Sequence, residues 1–130
     1  MKKYEHAFGK NDIRGIYGED ITEELYKYTG RGLVEYLKLQ SGLNPSDMWI
    51  TVCMDARTHS PSLSEALIDG ITSTGANVVN LGLAPTPIGY YSEAAGVPAE
   101  RTGGKNIIAA CIITASHNPK EYNGMKMTYN

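Results

Sequence analysis

Ser116 stands in the polar segment Thr114-Ala115-Ser116-His117-Asn118-Pro119, directly after an apolar run over residues 107–113. A buried strand fixes such a residue while the loop that follows exposes its hydroxyl, a common way to present a nucleophile. Six residues after Ser116 come Tyr122-Asn123-Gly124, and then Lys126, which can supply positive charge near the serine. Arg14, in the stretch Asn11-Asp12-Ile13-Arg14-Gly15, is a further cation. Its fork suits a phosphate, and it equally suits an ion pair with Asp12 inside a turn. If the serine loop is catalytic, the chemistry these residues favour is phosphoryl transfer through Ser116.

Each residue also has a plainer use. Ser, Asn and Pro are all turn formers, so Ser116 fits an ordinary turn. Lys126 fits a solvated lysine protecting a sheet edge. Asp55 and Arg57 flank a strand end and read as a local ion pair. A Ser-His-Asp hydrolase is disfavoured: there is no Gly-x-Ser-x-Gly elbow, and His117 is adjacent to the serine, so the two side chains diverge. His6 and His59 show no partner pattern and read as incidental. No CxxC or HExxH metal-ligand cluster is present.

The elements that would carry these residues follow from periodicity. Residues 22–39 read as a helix, with Thr22 near its N-cap, Glu23 and Glu24 at its positive end, and Leu25, Leu33, Tyr36 and Leu37 at helical spacing. Gly30 and Gly32 interrupt that pattern and suit close packing on a sheet. Residues 48–54 read as a strand buried on both faces. Ser60 as N-cap and Pro61 at the first helical position open a helix that runs to about Ser73. Then come a strand over 77–81, a short helix over 86–95, a polar Gly-rich connection over 96–105, a strand over 107–114, the serine loop and a last strand over 124–129. Strands separated by helices imply a parallel sheet covered on both faces. The last strand follows its predecessor too closely for a helical crossover, so it runs antiparallel, with Gly124, Lys126 and Thr128 on one side and Met125, Met127 and Tyr129 on the other. The expected fold is α/β, a three-layer α/β/α sandwich. Its sheet is mixed, mostly parallel and four-stranded, with one antiparallel edge strand.

The chain's 130 residues suit one domain with a real core. A hydrophobic fraction of 42% and a charged fraction of 20% fit a soluble globular protein. The net charge of -2 is scattered, so no basic stripe argues for nucleic acid and no polybasic helix for a membrane surface. No apolar run reaches the length of a membrane span, and the start Met1-Lys2-Lys3 lacks the apolar region of a secretory signal. Cys53 and Cys111, both in expected strands, read as buried free thiols in a reducing, cytoplasmic setting.

At these same residues the sequence resembles the α-D-phosphohexomutases, specifically the N-terminal domain (domain I) of the phosphomannomutase/phosphoglucomutase group. The resemblance runs nearly end to end. It rests on Phe8 to Gly15, on Asp55-Ala56-Arg57 and Ser60-Pro61, and on Leu81-Gly82-Leu83-Ala84-Pro85-Thr86-Pro87. It rests most specifically on Thr114 to Pro119 followed by Glu121 to Lys126. The family often has an aromatic residue where Asn11 stands, and usually a glycine near Cys53 or Met54.

What the resemblance implies is a phosphoserine enzyme that interconverts hexose 1-phosphate and hexose 6-phosphate. Ser116 would carry the phosphoryl group and pass it to the sugar, forming a bisphosphate that reorients and returns its other phosphate. Arg14 and Lys126 would stabilise the transferring group, Lys126 would assist proton transfer, and His117 would act beside the substrate. Asn11, His117 and Asn118 would be substrate contacts. Mg²⁺ would bind the phosphoserine oxygen, its other ligands coming from a second domain, and hexose 1,6-bisphosphate would be the activator. Residues 1–130 would be one of four domains around a cleft, inactive alone, with the other three as partners. The motif wording leans toward mannose or glucose phosphates over glucosamine phosphate. A non-catalytic sugar-phosphate-binding or regulatory module on the same fold is the second reading.

Overall fold

The computed structural model describes residues 7–8 and 12–129. In chain order the elements are β1 (Ile13–Ile16), α1 (Glu23–Ser41), a 3-10 turn (Pro45–Asp47), β2 (Trp49–Met54), α2 (Ser60–Thr72), β3 (Asn77–Leu83), α3 (Thr86–Ala95), α4 (Ala99–Thr102), β4 (Ala109–Ile113) and β5 (Tyr122–Tyr129). Asn11 and His6 lie outside the described residues.

Helix α1 begins as its sequence dictates. Thr22 is the N-cap and its hydroxyl accepts from the Leu25 N–H at 3.1 Å, with Glu23 and Glu24 in the first turn. Gly42 ends it in the left-handed region, its N–H donating to Lys38 O. Helix α2 differs in one respect. Ser60 is its first residue rather than its cap, because the Ser60 hydroxyl donates to Asp55 and is not free to cap. The polar connection over 96–105 also contains the short helix α4.

The strand order is β1-β5-β4-β2-β3. Strand β2 pairs in parallel with β3 and with β4, as the alternation of strands and helices implies. Strand β5 runs antiparallel to β4, as its short connection requires. The sheet has five strands rather than four: β1 pairs antiparallel with β5, from Ile13 opposite Met125 to Ile16 opposite Tyr122. Strand β5 is therefore interior, and the antiparallel edge is β1. A strand of 4 residues with a glycine inside it has too short an alternation to read, and it holds through its partner's ladder.

Three layers result. Ile50 and Val52 of β2, Ala109, Cys111 and Ile113 of β4 and Met125 of β5 pack against Leu25, Tyr26 and Val34 of α1 and Leu63, Leu67 and Ile71 of α2. On the other face lies α3. Its Ser92 hydroxyl meets Thr51 Oγ1 at 2.7 Å, and Gly89 lies so near Ile112 that a Cβ there would stand 2.4 Å from its Cγ1. Cys53 and Cys111 are free and buried. Burial pushes the Cys53 thiol up to about 11; burial and then the Cys53 charge push Cys111 up to about 12, so neither is a ready nucleophile. No helix among the described residues is long and apolar enough to cross a membrane.

The two glycines of α1 have different surroundings, and neither faces the sheet. A Cβ on Gly30 would lie 2.7 Å from the Leu67 carbonyl oxygen, so Gly30 lets α1 approach α2. Around Gly32 nothing lies within 4 Å. Gly32→Ala should therefore raise stability by up to about 1 kcal/mol, the usual helix-interior gain. Gly30→Ala should lower it by roughly 1–3 kcal/mol through overpacking against backbone. Urea midpoints would check this; equal shifts for both variants would contradict the packing account.

Candidate active site

The loop after β4 folds back toward β5 and leaves several backbone carbonyls pointing into its own interior. Arg57, from the loop after β2, satisfies them. Its Nη2 donates to the carbonyls of Ser116 at 3.1 Å and Asn118 at 2.9 Å, and its Nη1 to those of Pro119 at 2.7 Å and Tyr122 at 3.2 Å. Its Nε donates to Asp55 Oδ2 at 3.1 Å, so the ion pair read from the sequence exists. That pair is only one side of a clamp. The whole donor set of the guanidinium is engaged in holding loop and carboxylate, which leaves it none for a ligand.

Asp55 anchors this arrangement. Its Oδ1 accepts from the Ser60 hydroxyl at 2.7 Å and the Arg57 N–H at 3.2 Å. Burial acts to raise the Asp55 pKa and is the largest single influence. The hydrogen bonds from Ser60, the Arg57 N–H, Thr114 and the Arg57 guanidinium outweigh it together and hold the carboxyl below its ordinary value. Behind Ser60 lies Asn123, fully buried. Its Nδ2 donates to Ser60 Oγ at 3.0 Å and to His59 Nδ1 at 2.7 Å, and its Oδ1 accepts from the Gly124 N–H at 2.8 Å. This pattern assigns the His59 proton to Nε2, which faces the Lys120 carbonyl at 3.2 Å. The His59 ring also stacks on Tyr17 with centroids 4.5 Å apart. His59 is therefore part of the loop's support and not incidental. Tyr17 in turn donates to Glu23, tying the loop's flank to the start of α1.

On this base sits Ser116, exposed at the tip. Its φ is 55°, and among the described residues no other non-glycine residue has a positive φ. The left-handed conformation costs a residue with a Cβ roughly 1–2 kcal/mol, which the surrounding bonds must offset. The Ser116 N–H donates to Thr114 Oγ1 at 3.0 Å. Asn118 closes the turn, its N–H and its Nδ2 both donating to Ala115 O, at 3.1 and 2.8 Å. Its side-chain N–H is thus used within the loop. His117 is exposed beside Ser116.

The sheet brings the cations toward this loop. Arg14 stands opposite Gly124 across the β1–β5 pair, and the Thr114 N–H donates to the Gly124 carbonyl at 2.9 Å. Lys126, two positions along from Gly124, stands opposite Ile112. By the pleat, Arg14 and Lys126 share the α3 face of the sheet as diagonal neighbours. Arg14 is paired with Asp12 at 2.7 Å, yet its side chain is 46% exposed. Lys126 is half-buried on an interior strand, so edge protection does not explain it. Among the described residues no group of three His, Cys, Asp or Glu side chains is arranged to hold a metal ion.

Arg57 and His59 are the members that sequence reasoning undervalued. Their partners are mostly backbone carbonyls about sixty positions away, which leave no mark in residue type. The depressed Asp55 pKa gives a signed test. The native state holds the carboxylate more readily than the unfolded chain, so the stabilisation is fully present above the unfolded value of about 3.9 and is lost as pH falls through the lower native value. Asp55→Asn should lower the urea midpoint at neutral pH, and its gap to the parent protein should narrow as pH drops below about 4. A gap independent of pH would contradict this assignment.

The chain matches the family model described as "Phosphoglucomutase/phosphomannomutase, alpha/beta/alpha domain I" over residues 5–130. It is 38% identical to the "Phosphoglucosamine mutase" of Finegoldia magna, covering 100% of this chain and 25% of that protein. It is 37% identical to the "Phosphoglucomutase/phosphomannomutase" of Thermococcus kodakarensis, over 92% of this chain and 24% of that one. A solved structure of a phosphoglucomutase/phosphomannomutase family protein from Burkholderia thailandensis superposes with a TM-score of 0.78 at 35% identity, covering 92% of this chain and 26% of the other. The chain thus spans about a quarter of the length of the curated relatives it matches. With the mixed five-stranded sheet and the serine loop in place, the chain belongs to the phosphoglucomutase/phosphomannomutase family, as its α/β/α domain I.

Proposed function

We propose that this chain is the phosphoserine-bearing domain of a phosphohexomutase and that Ser116 is the residue phosphorylated. The observation that carries this reading is the conformation of Ser116. It is an exposed serine in the left-handed region, held there by Thr114 behind it and Arg57 beneath it, with Arg14 and Lys126 on the adjoining sheet face. Backbone strain of this kind persists where surrounding structure over-determines it, and it clusters at functional sites.

The proposed cycle has two phosphoryl transfers. A hydroxyl of a hexose phosphate attacks the phosphorus of phosphoserine, the P–Oγ bond breaks, and the proton lost by the sugar is taken up at Ser116 Oγ. The sugar bisphosphate turns over. Ser116 Oγ then attacks the other phosphorus, and the released sugar oxygen takes the proton. Lys126 is the proposed proton carrier between the two oxygens, and Arg14 the proposed fork on the phosphoryl oxygens. His117 and Asn118 are proposed to meet the sugar. Asn118 would do so through its side-chain oxygen, since its amide N–H is bonded to Ala115.

Such transfer is helped by Mg²⁺ through neutralisation of charge on the phosphoryl oxygens. Toward such an ion a phosphorylated Ser116 would offer a phosphate oxygen, and the described residues hold no cluster of acidic ligands. The remaining ligands are therefore proposed to come from other domains, as is the grip on the far end of the sugar. This fits a chain that spans about a quarter of its relatives' length. The motif wording points to glucose or mannose phosphates. Relatives named phosphoglucosamine mutase run against that lean and favour glucosamine phosphate as the substrate class.

The test is the mass of the peptide covering Ser116 in the full gene product after incubation with hexose 1,6-bisphosphate and Mg²⁺. The expected result is one added phosphate on Ser116 and none in Ser116→Ala. Lys126→Ala and Arg14→Ala should each slow the transfer by about 100-fold or more, as expected when a proton carrier or an electrostatic donor is lost. A protein that binds the bisphosphate but never takes phosphate at Ser116 would favour a non-catalytic binding module.

A further inference from the structure

The geometry points to Arg57 as a positioning residue for phosphoryl transfer, one that sets the orientation of Ser116 without touching the phosphate. This inference rests on the reading of Ser116 as the phosphoryl carrier and adds the residue that makes the carrier loop rigid.

Three observations support it. First, the guanidinium is fully committed: one donor to Asp55 Oδ2 and the others to the carbonyls of Ser116, Asn118, Pro119 and Tyr122. An arginine with no donor to spare cannot be a phosphate fork, whereas Arg14 pairs with Asp12 through Nη2 and keeps its side chain 46% exposed. Second, the carbonyls it holds begin at the nucleophile and continue C-terminal to it, at Ser116, Asn118, Pro119 and Tyr122. A trans peptide unit points its N–H opposite to its C=O, and the described chain has no cis peptide. Drawing the Ser116 carbonyl toward Arg57 therefore turns the His117 N–H away from the clamp, toward the exposed side of the loop where Ser116 lies. Drawing in the Pro119 carbonyl does the same for the Lys120 N–H. The clamp thus fixes the ψ side of a serine already in the left-handed region, while Thr114 Oγ1 fixes its N–H.

Third, Arg57 is itself held. Asp55 takes its Nε, Ser60 and the Arg57 N–H hold Asp55, and buried Asn123 holds Ser60 and His59. The chain of bonds runs from the first turn of α2 through β5 and back to the serine loop. Lysine cannot replace arginine here. Its ammonium is a single point with fewer donors and cannot reach four carbonyls around the edge of a plane while meeting a carboxylate.

The experiment uses the full gene product, dephosphorylated at Ser116, and follows phosphate uptake from hexose 1,6-bisphosphate with Mg²⁺ present. In that step Ser116 Oγ attacks phosphorus, the bond from phosphorus to the sugar oxygen breaks, and the serine proton passes to that oxygen. Arg57→Lys should keep the fold, by circular dichroism and urea midpoint, and should slow uptake by about 100-fold, the usual cost of a nucleophile displaced by an ångström. The bisphosphate concentration giving half the maximal rate should stay unchanged, because Arg57 has no donor left for ligand. Arg57→Ala should regain part of its rate with millimolar guanidinium chloride and none with sodium chloride at the same ionic strength. Uptake by Arg57→Lys at the parent rate would overturn the inference and leave the role of Ser116 intact. So would a loss that only tracks the unfolded fraction. If the parent protein takes no phosphate at Ser116, the reading of Ser116 falls first and this inference falls with it.

Discussion

A loop that leaves one strand and returns at once along a neighbour cannot satisfy all of its own carbonyls with a ladder, and carbonyls left without donors are costly where water is kept out. In this chain the loop's own N–H groups reach Ala115 O and Pro119 O, and one planar cation supplies donors to the carbonyls of Ser116, Asn118, Pro119 and Tyr122. Arg57 reaches the serine loop because β2 and β4 are parallel and in register at their ends: Met54 stands opposite Ile113, and the Asp55 N–H donates to Ile113 O at 2.9 Å. That bond carries the sheet's register one residue past the strand and delivers the Asp-x-Arg segment beneath the loop. A shift of a single residue in that pairing would move Arg57 away from the carbonyls it holds. The registry of the core and the shape of the site are therefore one constraint.

The third strand at the site is fixed by absence of a side chain. A Cβ on Gly124 would lie 2.2 Å from Ile13 O and 3.1 Å from Thr114 O. The close approach lets β1, β5 and the exit of β4 meet, and it sets Arg14 directly across from the position that Thr114 bonds. Asn123, one residue earlier, faces the opposite way and is buried in the polar network under the loop. Pleat alternation thus divides the segment: Asn123 serves the support, Gly124 the close approach, Met125 the core, and Lys126 the open face.

What could be read from the sequence was whatever residue type and period record. The buried run at residues 48–54, the capped α1, the Pro61 helix start and the serine loop all carry such marks, and each is found, the run as β2. The antiparallel return of β5 followed from the short connection alone. Strand β1 left no mark, since 4 residues with Gly15 among them gain strand geometry only from pairing with β5. Missing it placed Lys126 on an edge that does not exist. Arg57 was readable as half of an ion pair with Asp55, because both partners are side chains near in sequence. Its bonds to backbone carbonyls about sixty positions away have no signature in composition, and the same holds for His59 against Lys120 O.

The charge arrangement follows from the same division between support and open face. The carboxylate beneath the loop, Asp55, is half-buried and paired with Arg57, so it adds little repulsion toward an incoming phosphate. Arg14 and Lys126 lie on the sheet face next to the loop, and Arg14 is paired with Asp12. A phosphorylated Ser116 would add close to two negative charges at an exposed tip. Donors turned outward by the clamp, together with two cations across a glycine, would offset that charge without burying it. An exposed, pre-shaped loop suits the proposed cycle better than an enclosed one, because a bisphosphate that must turn over between its two transfers needs room at the serine. Rigidity on the protein side and freedom on the sugar side are then separate requirements, and the described residues are built for the first.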